Sequence, residues 1–213
     1  MLHETAQIFL AAGTSADTTE AAIRALALAL PGVHRVHLGR NLEGSWGAGD
    51  YTLDLLRDDD APDQASAVAA LSALPGVARV DGAVCAALDG GSRQPGLHDG
   101  IWRTLLFRVR AEATPAQIAA LEDELLRMPA FMPGIRNWRL SRATAPAAGG
   151  WTHVWQQEFA RVDDLLGEYL MHPYHWGWVD RRFDFECPDW TVEAIAHAFC
   201  PLASSLLTDA ADR

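Results

Sequence analysis

Tyr169, His172 and His175 fall within one short segment, Tyr169-Leu170-Met171-His172-Pro173-Tyr174-His175. The two histidines flank a proline that ends the preceding helix, so they present imidazole nitrogens at a helix C-terminus. The helix dipole there favours an imidazolium by roughly 0.3–1 kcal/mol. Burial among Tyr174, Trp176 and Trp178 pushes the other way, toward the neutral base. A neutral histidine within hydrogen-bond reach of a substrate abstracts an acidic C–H or O–H proton. A phenol such as that of Tyr169 can donate to a carbonyl oxygen and hold a developing enolate. Arg103 can pair with a substrate carboxylate. Tyr169, His175, Arg103 and the strand histidine His153 are therefore the residues expected to do chemistry or orient a ligand.

Each has a structural alternative. His172 can bond a backbone carbonyl at the helix end, and His175 can be a packing residue. Tyr169 can fill core space with its hydroxyl at the rim. His153, between Thr152 and Val154, reads either as a satisfied interior histidine or as a pocket wall. His153, His172 and His175 could in principle form a three-histidine metal site. The sequence lacks the carboxylate pattern that would support such ligands, so no metal is expected. The acidic run Asp58-Asp59-Asp60 lacks the spacing of a calcium loop, and the Gly-rich segments lack phosphate-binding spacing.

Tryptophan is concentrated in the same half. Of 8 residues, only Trp46 precedes residue 100, while Trp102, Trp138, Trp151, Trp155, Trp176, Trp178 and Trp190 follow it. Either the second half lines an aromatic cavity, with Trp176 and Trp178 beside the histidines, or these rings fill a core opposite an Ala-rich first half.

The elements that must hold these residues are suggested by recurring signals. Pro31-Gly32-Val33 is echoed by Pro133-Gly134-Ile135, and Val36–Arg40 by Trp138–Arg142. Tyr51-Thr52 is echoed by Trp151-Thr152, and Pro75 by Pro173. Each half reads β-α-β-β-α-β. Strands are expected near Thr5–Ala11, His34–Gly39, Tyr51–Leu56 and Gly82–Leu88, with helices near Thr18–Leu30 and Pro62–Leu74. In the second half, strands are expected near Trp102–Arg110, Asn137–Ser141, Thr152–Phe159 and Val192–Pro201. Helices there run near Thr114–Met128 and Val162–His172; Phe183–Trp190 reads as strand or inserted loop. Thr114-Pro115 supplies an N-cap and a proline at the first helical position. Ile118, Leu121, Leu125 and Met128 recur at helical spacing.

This order is ferredoxin-like, an antiparallel sheet with both helices on one face. The fold class expected is therefore α+β: two tandem units, residues 1–97 and 98–213, joined by the polar stretch Asp89–Asp99. Their open, partly apolar sheet faces would stack as an intramolecular α+β barrel, a pseudo-dimer within one chain. Further pairing of two chains stays open.

Bulk properties narrow the partners. The 213 residues are 49% hydrophobic and 21% charged, a globular composition. A formal charge of −11 disfavours nucleic acid and anionic lipid. No run approaches the ~18 apolar residues of a membrane span and no basic-then-apolar leader opens the chain, so a cytoplasmic location is expected. Cys85, Cys187 and Cys200 are odd in number and dispersed, which fits buried thiols rather than a disulfide framework.

The second half resembles the stress-responsive α/β-barrel family, often called Dabb domains. The resemblance rests on Trp102–Val109, Pro133-Gly134, Trp151-Thr152-His153 and the His172-Pro173-Tyr174-His175 signature. The first half is similar in pattern but has Ala70–Val77 where the signature would fall. The family implies barrels made by pairing two units, and some members bind small ligands or a metal. Its best-understood enzymes resemble plant polyketide cyclases of the olivetolic acid type, which need no cofactor. That likeness implies His175 as base and Tyr169 as its partner. A further pocket histidine of those cyclases aligns with Arg103 here and with His3 in the first half.

The function expected is thus a cofactor-independent small-molecule enzyme or binder. Its chemistry would be proton transfer on a keto or phenolic, small aromatic ligand: cyclisation, isomerisation or lyase action. The alternative is a non-catalytic stress-response or assembly protein that binds another protein through the barrel surface. Oxidation on the same barrel type rests on fold analogy alone.

Overall fold

Strand and helix periodicities alternate along the chain, and in the computed structural model they set the element order. The structure describes residues 1–59, 64–144 and 148–208. The first unit comprises β1 (Leu2–Leu10), α1 (Ala16–Ala29), β2 (Val33–Arg40), β3 (Tyr51–Arg57), α2 (Gln64–Ser72) and β4 (Val77–Ser92). The second comprises β5 (His98–Val109), α3 (Pro115–Phe131), β6 (Ile135–Ala143), β7 (His153–Phe159) and β8 (Val192–Ser204). Between β7 and β8 the expected regular helix is widened into π-helical turns, Asp164–Tyr169 and His175–Val179, followed by a 3-10 turn at Asp180–Arg182. The start expected for α2 at Pro62 lies outside the described residues. Phe183–Trp190 contains no strand and forms the loop into β8.

Local chemistry explains the best-defined helix. Thr114 Oγ1 accepts from the Gln117 backbone N–H at 3.2 Å, and Gln117 Oε1 accepts from the Thr114 N–H at 2.9 Å, a reciprocal capping box. Leu121, Leu125 and Met128 of α3 are buried against β5, β6 and β7 with Leu105, Phe107, Trp155 and Phe159. Ile23 and Ala27 of α1 play the same part over Ile8, Leu38, Leu53 and Val80.

The eight strands form one sheet in the order β2-β3-β1-β4-β6-β7-β5-β8, every pairing antiparallel. Each unit keeps the ferredoxin-like neighbour relations. The units join where β4 pairs with β6, from Cys85 opposite Ala143 to Ser92 opposite Asn137. On the other side the β2–β3 loop meets β8: Leu42 N–H donates to Phe199 O at 2.9 Å, and Trp46 and His197 exchange two bonds of 2.8 Å. The sheet is thereby closed into the two-unit α+β barrel.

Two expectations change. The stretch Asp89–Asp99 is not a loose linker. Asp89–Ser92 belong to β4 and are laddered to β6, His98 and Asp99 open β5, and Arg93 donates to the carbonyls of Met132 and Ile135 at 3.3 and 3.1 Å. Polar residues occur there because they ride a sheet edge that faces partners on one side only. The face between the units, expected to be partly apolar, also carries a polar network. Gln156 Nε2 donates to Asp54 Oδ2 at 3.2 Å, Thr5 Oγ1 to Asp54 Oδ2 at 3.0 Å, and Arg139 Nη2 to Gln156 Oε1 at 2.9 Å. Apolar clusters around Leu106 and Val154 and around Trp102 and Leu202 complete the packing. Inside a narrow barrel, polar side chains from opposite units satisfy one another, and this stands in for an apolar seam.

Candidate functional site

A cavity of about 280 Å³ opens in the second unit, between β5 and β8 on one side and α3 with the π-helical turns on the other. Its polar walls are Arg103, Tyr169, His175, Asp180 and His197, and its apolar walls are Leu105, Leu125, Leu170, Val179, Phe183 and Ile195. Trp46, from the β2–β3 loop of the first unit, completes the rim. Its side chain is 65% exposed, which places it at the mouth.

Three of the expected residues meet here. The rings of Tyr169 and His175 lie edge to face, centroids 4.7 Å apart, and the Arg103 guanidinium carbon is 5.0 Å from the Tyr169 centroid. The π-helical turns bring this about. A widened turn places Tyr169 over the sheet, where its ring meets Phe159 edge-on at 5.6 Å. The next turn restarts at Pro173, with the His175 N–H donating to His172 O at 2.9 Å. Tyr174 then pins the segment to α3 by donating from its hydroxyl to Glu124 O at 3.1 Å, and Arg182 clamps the Glu124 carboxylate with bonds of 2.8 and 2.7 Å.

The electrostatics of the cavity are uneven. Asp180 Oδ2 approaches His175 Nδ1 to 3.4 Å, an ion-pair distance without hydrogen-bond geometry. Arg103 spends Nη1 on Gln157 Oε1 at 2.6 Å, while its buried Nε has no partner. Burial lowers the Arg103 pKa, opposed by Tyr169 and Asp180. Burial raises that of Tyr169, only partly offset by Arg103, so the phenol keeps its proton. Burial, reinforced by Arg103 and His175, pulls His197 down to about 3, and its Nε2 also lacks a partner.

The other expected residues lie elsewhere. His153 lies outside the cavity, stacked on Phe107 with centroids 4.8 Å apart, its Nε2 3.0 Å from Glu122 Oε1 and its Nδ1 2.8 Å from Thr152 Oγ1. Burial lowers its pKa against the pull of Glu122. For Glu122 itself, burial is outweighed by the hydrogen bonds from Arg142 and His153, and its carboxyl titrates below the ordinary value. His172 turns its Nδ1 to accept from the Tyr174 N–H at 3.1 Å, a capping role. Trp176 and Trp178 point to solvent, and Trp178 lies beneath the Arg181 guanidinium. Trp102 and Trp155 are fully buried core residues. The indole at the rim is Trp46, the one tryptophan of the first unit. Among the described residues, no three His, Cys, Asp or Glu side chains are grouped to hold a metal ion.

Trp46, Asp180 and His197 were not anticipated as a group. Trp46 gave a faint signal, a lone large ring between Gly44 and Gly47. His197 lies on β8 on the same face as Ile195, and strand alternation links the two once the register is known.

The fold and the cavity define a two-unit ferredoxin-like α+β barrel with a pocket roofed by helical turns. Residues 101–193 match the model of the Stress responsive A/B Barrel Domain (Dabb) family, so the likeness runs from β5 through the cavity's helical roof and stops at the start of β8. No curated protein sequence matches the chain. Among solved structures, an anthrone oxidase-like protein is similar at 13% identity over 96% of this chain and 92% of that one, with a TM-score of 0.65. A proposed monooxygenase from Fusobacterium nucleatum subsp. nucleatum is similar at 8% identity over 96% and 93%, with a TM-score of 0.56. A dimeric ferredoxin-like protein from Thermobifida fusca is 21% identical over 49% of this chain and 92% of that one, with a TM-score of 0.42. At these identities the likeness is one of fold. Among the described residues, no helix is long and apolar enough to cross a membrane.

Proposed function

We propose that the cavity binds a small keto or phenolic molecule and catalyses proton transfer on it without a cofactor, with His175 as base and Tyr169 as hydrogen-bond donor. The observation that carries this reading is the edge-to-face approach of Tyr169 and His175, at 4.7 Å, on the wall of one largely apolar cavity. His175 takes a proton from the carbon next to a carbonyl. The electron pair moves to the carbonyl oxygen, where the protonated Tyr169 hydroxyl stabilises it. In a cyclisation the enolate carbon then bonds to a second carbonyl of the same molecule, and the imidazolium returns the proton to the new alkoxide. Asp180, beside Nδ1, orients the ring and stabilises the imidazolium, and Arg103 holds the ligand against Tyr169.

The test is a thermal-shift screen of aromatic acids, phenols and β-keto compounds on wild type and His175→Ala in parallel, followed by turnover assays on the ligands that stabilise. Loss of both stabilisation and turnover in His175→Ala and Tyr169→Phe supports the reading. Turnover unchanged in both variants ends it.

A second reading is favoured by a separate observation. Met171, Trp176, Trp178 and Phe185 are all exposed on the segment that roofs the cavity, an apolar outer surface suited to another protein. That reading predicts a partner whose binding depends on Trp176 and Trp178 and ignores His175.

A further inference from the structure

We infer that the ligand of this cavity carries a carboxylate, held by Arg103 at the closed end, with its planar apolar body directed toward Trp46 at the mouth. The inference deepens the proposed function and rests on the same cavity being a ligand site.

Arg103 is a buried cation with an incomplete set of partners. It stands on β5 with only 4% of its surface exposed, and Gln157, a neutral side chain, accepts its one hydrogen bond. Its Nε is buried and unbonded, and among the described residues no carboxylate reaches ion-pair distance of it. The nearest influence of opposite sign is Asp180, whose side chain is half-exposed and leans on His175. A guanidinium removed from water is ordinarily paired with an anion, and a planar carboxylate matches its fork. Around it stand two imidazoles, His175 and His197, and the half-exposed carboxylate of Asp180. His197 Nε2 and His175 Nδ1 are likewise buried without hydrogen bonds. The cavity thus gathers three buried nitrogens without hydrogen bonds, one of them on a guanidinium, in a chain whose formal charge is −11. Burial first, and then the neighbouring Arg103 cation, keep His197 neutral.

The remaining walls are different in kind: Leu105, Leu125, Leu170, Val179, Phe183 and Ile195 are apolar, and the exposed Trp46 indole stands at the rim while Arg103 is buried. A flat ring or conjugated keto chain fits those walls, with its charged group inward. A neutral phenol would satisfy Tyr169 and His175 but leave Arg103 as it is.

The experiment compares 2,4-dihydroxybenzoate, its methyl ester and resorcinol by calorimetric titration on the full chain, in wild type, Arg103→Lys, Arg103→Met and His175→Ala. The melting temperature of each protein is measured without ligand. The acid is expected to bind wild type at least about tenfold more tightly than the ester, a preference kept in part by Arg103→Lys and abolished by Arg103→Met. Without ligand, Arg103→Met is expected to melt a few degrees higher, because an uncompensated cation has been removed. Equal affinity for acid and ester, or a preference that survives Arg103→Met, overturns the inference. If no probe binds, the melting temperatures decide: a lower value for Arg103→Met makes Arg103 a structural cation and overturns it as well. Ester and resorcinol binding that is lost in His175→Ala but indifferent to Arg103 leaves the proton-transfer reading standing and removes only the carboxylate. An Arg103-dependent acid preference with turnover indifferent to His175 does the reverse.

Discussion

Trp46 and His197 exchange both backbone hydrogen bonds, each 2.8 Å long, across the boundary between the two units. Both side chains line the cavity, so one antiparallel bridge closes the barrel and assembles the pocket mouth. The bridge depends on Gly47, which sits at φ +65° with space for a Cβ only 2.7 Å from Ile195 O.

Gly47→Ala should therefore push the loop off β8. Strain of this kind costs about 1–3 kcal/mol. Urea unfolding should register that loss, and stopped-flow ligand release should be faster than in wild type. Unchanged stability would mean that the loop absorbs the methyl group without moving.

His153 and His175 should separate cleanly. His153→Ala removes the neutral donor to Glu122 and empties the space stacked on Phe107, a loss of about 1–3 kcal/mol. Ligand affinity should stay within twofold of wild type, because His153 lies outside the cavity. His175→Ala should do the opposite, with affinity and turnover falling while denaturant stability changes little. Parallel urea curves and titrations of the two variants check both halves.

Acid should destabilise the protein before most carboxylates titrate. His197 is held near 3 in the folded chain against 6.5 when unfolded, first by burial and then by Arg103 and His175. His37 and His153 are also lowered, chiefly by burial. Between pH 6.5 and about 3 the unfolded chain binds the proton that the folded His197 refuses, so stability falls as pH falls. The slope per such group is up to about 1.4 kcal/mol per pH unit. His197→Gln should flatten the acid limb of stability against pH, and a limb of unchanged slope would show that His197 protonates in place.

The thiols give a chemical check on packing. Burial pushes Cys85 and Cys200 up to about 12, so neither supplies thiolate at pH 8. With a disulfide reagent, both should stay silent in the native protein and react once guanidinium unfolds it. Rapid native labelling of either would reveal local opening of the barrel.

The order of elements was readable because each is written in one stretch of chain: Thr114-Pro115 with Leu121, Leu125 and Met128, or the Pro-Gly turns at Pro31 and Pro133. Tyr169, His175 and Arg103, which meet at one cavity, could be singled out for the same reason, each standing in a recognisable segment. Trp176 and Trp178 illustrate where that approach ends. They stand one and three positions after His175: Trp176 lies about 100° round the turn, and the π-helical widening of His175–Val179 carries Trp178 off the face that an ordinary helix would share at that spacing. Trp46 and His197 come together through strand pairing between residues far apart in the chain. No local pattern states that pairing. The polar seam of Gln156, Asp54 and Thr5 was hidden likewise, since each reads alone as an exposed polar residue until the two units face each other.

The contribution of Trp46 has an evolutionary consequence. A barrel made from two identical chains must change every position twice, so a rim residue gained in one copy also appears where it is unwanted. With both units on one chain, the half without the His-Pro-x-His signature is released from that constraint. It can vary its β2–β3 loop to reshape the entrance while the other half keeps the remaining walls of the cavity. The mouth and the interior then become separately heritable traits, carried by opposite ends of one sequence.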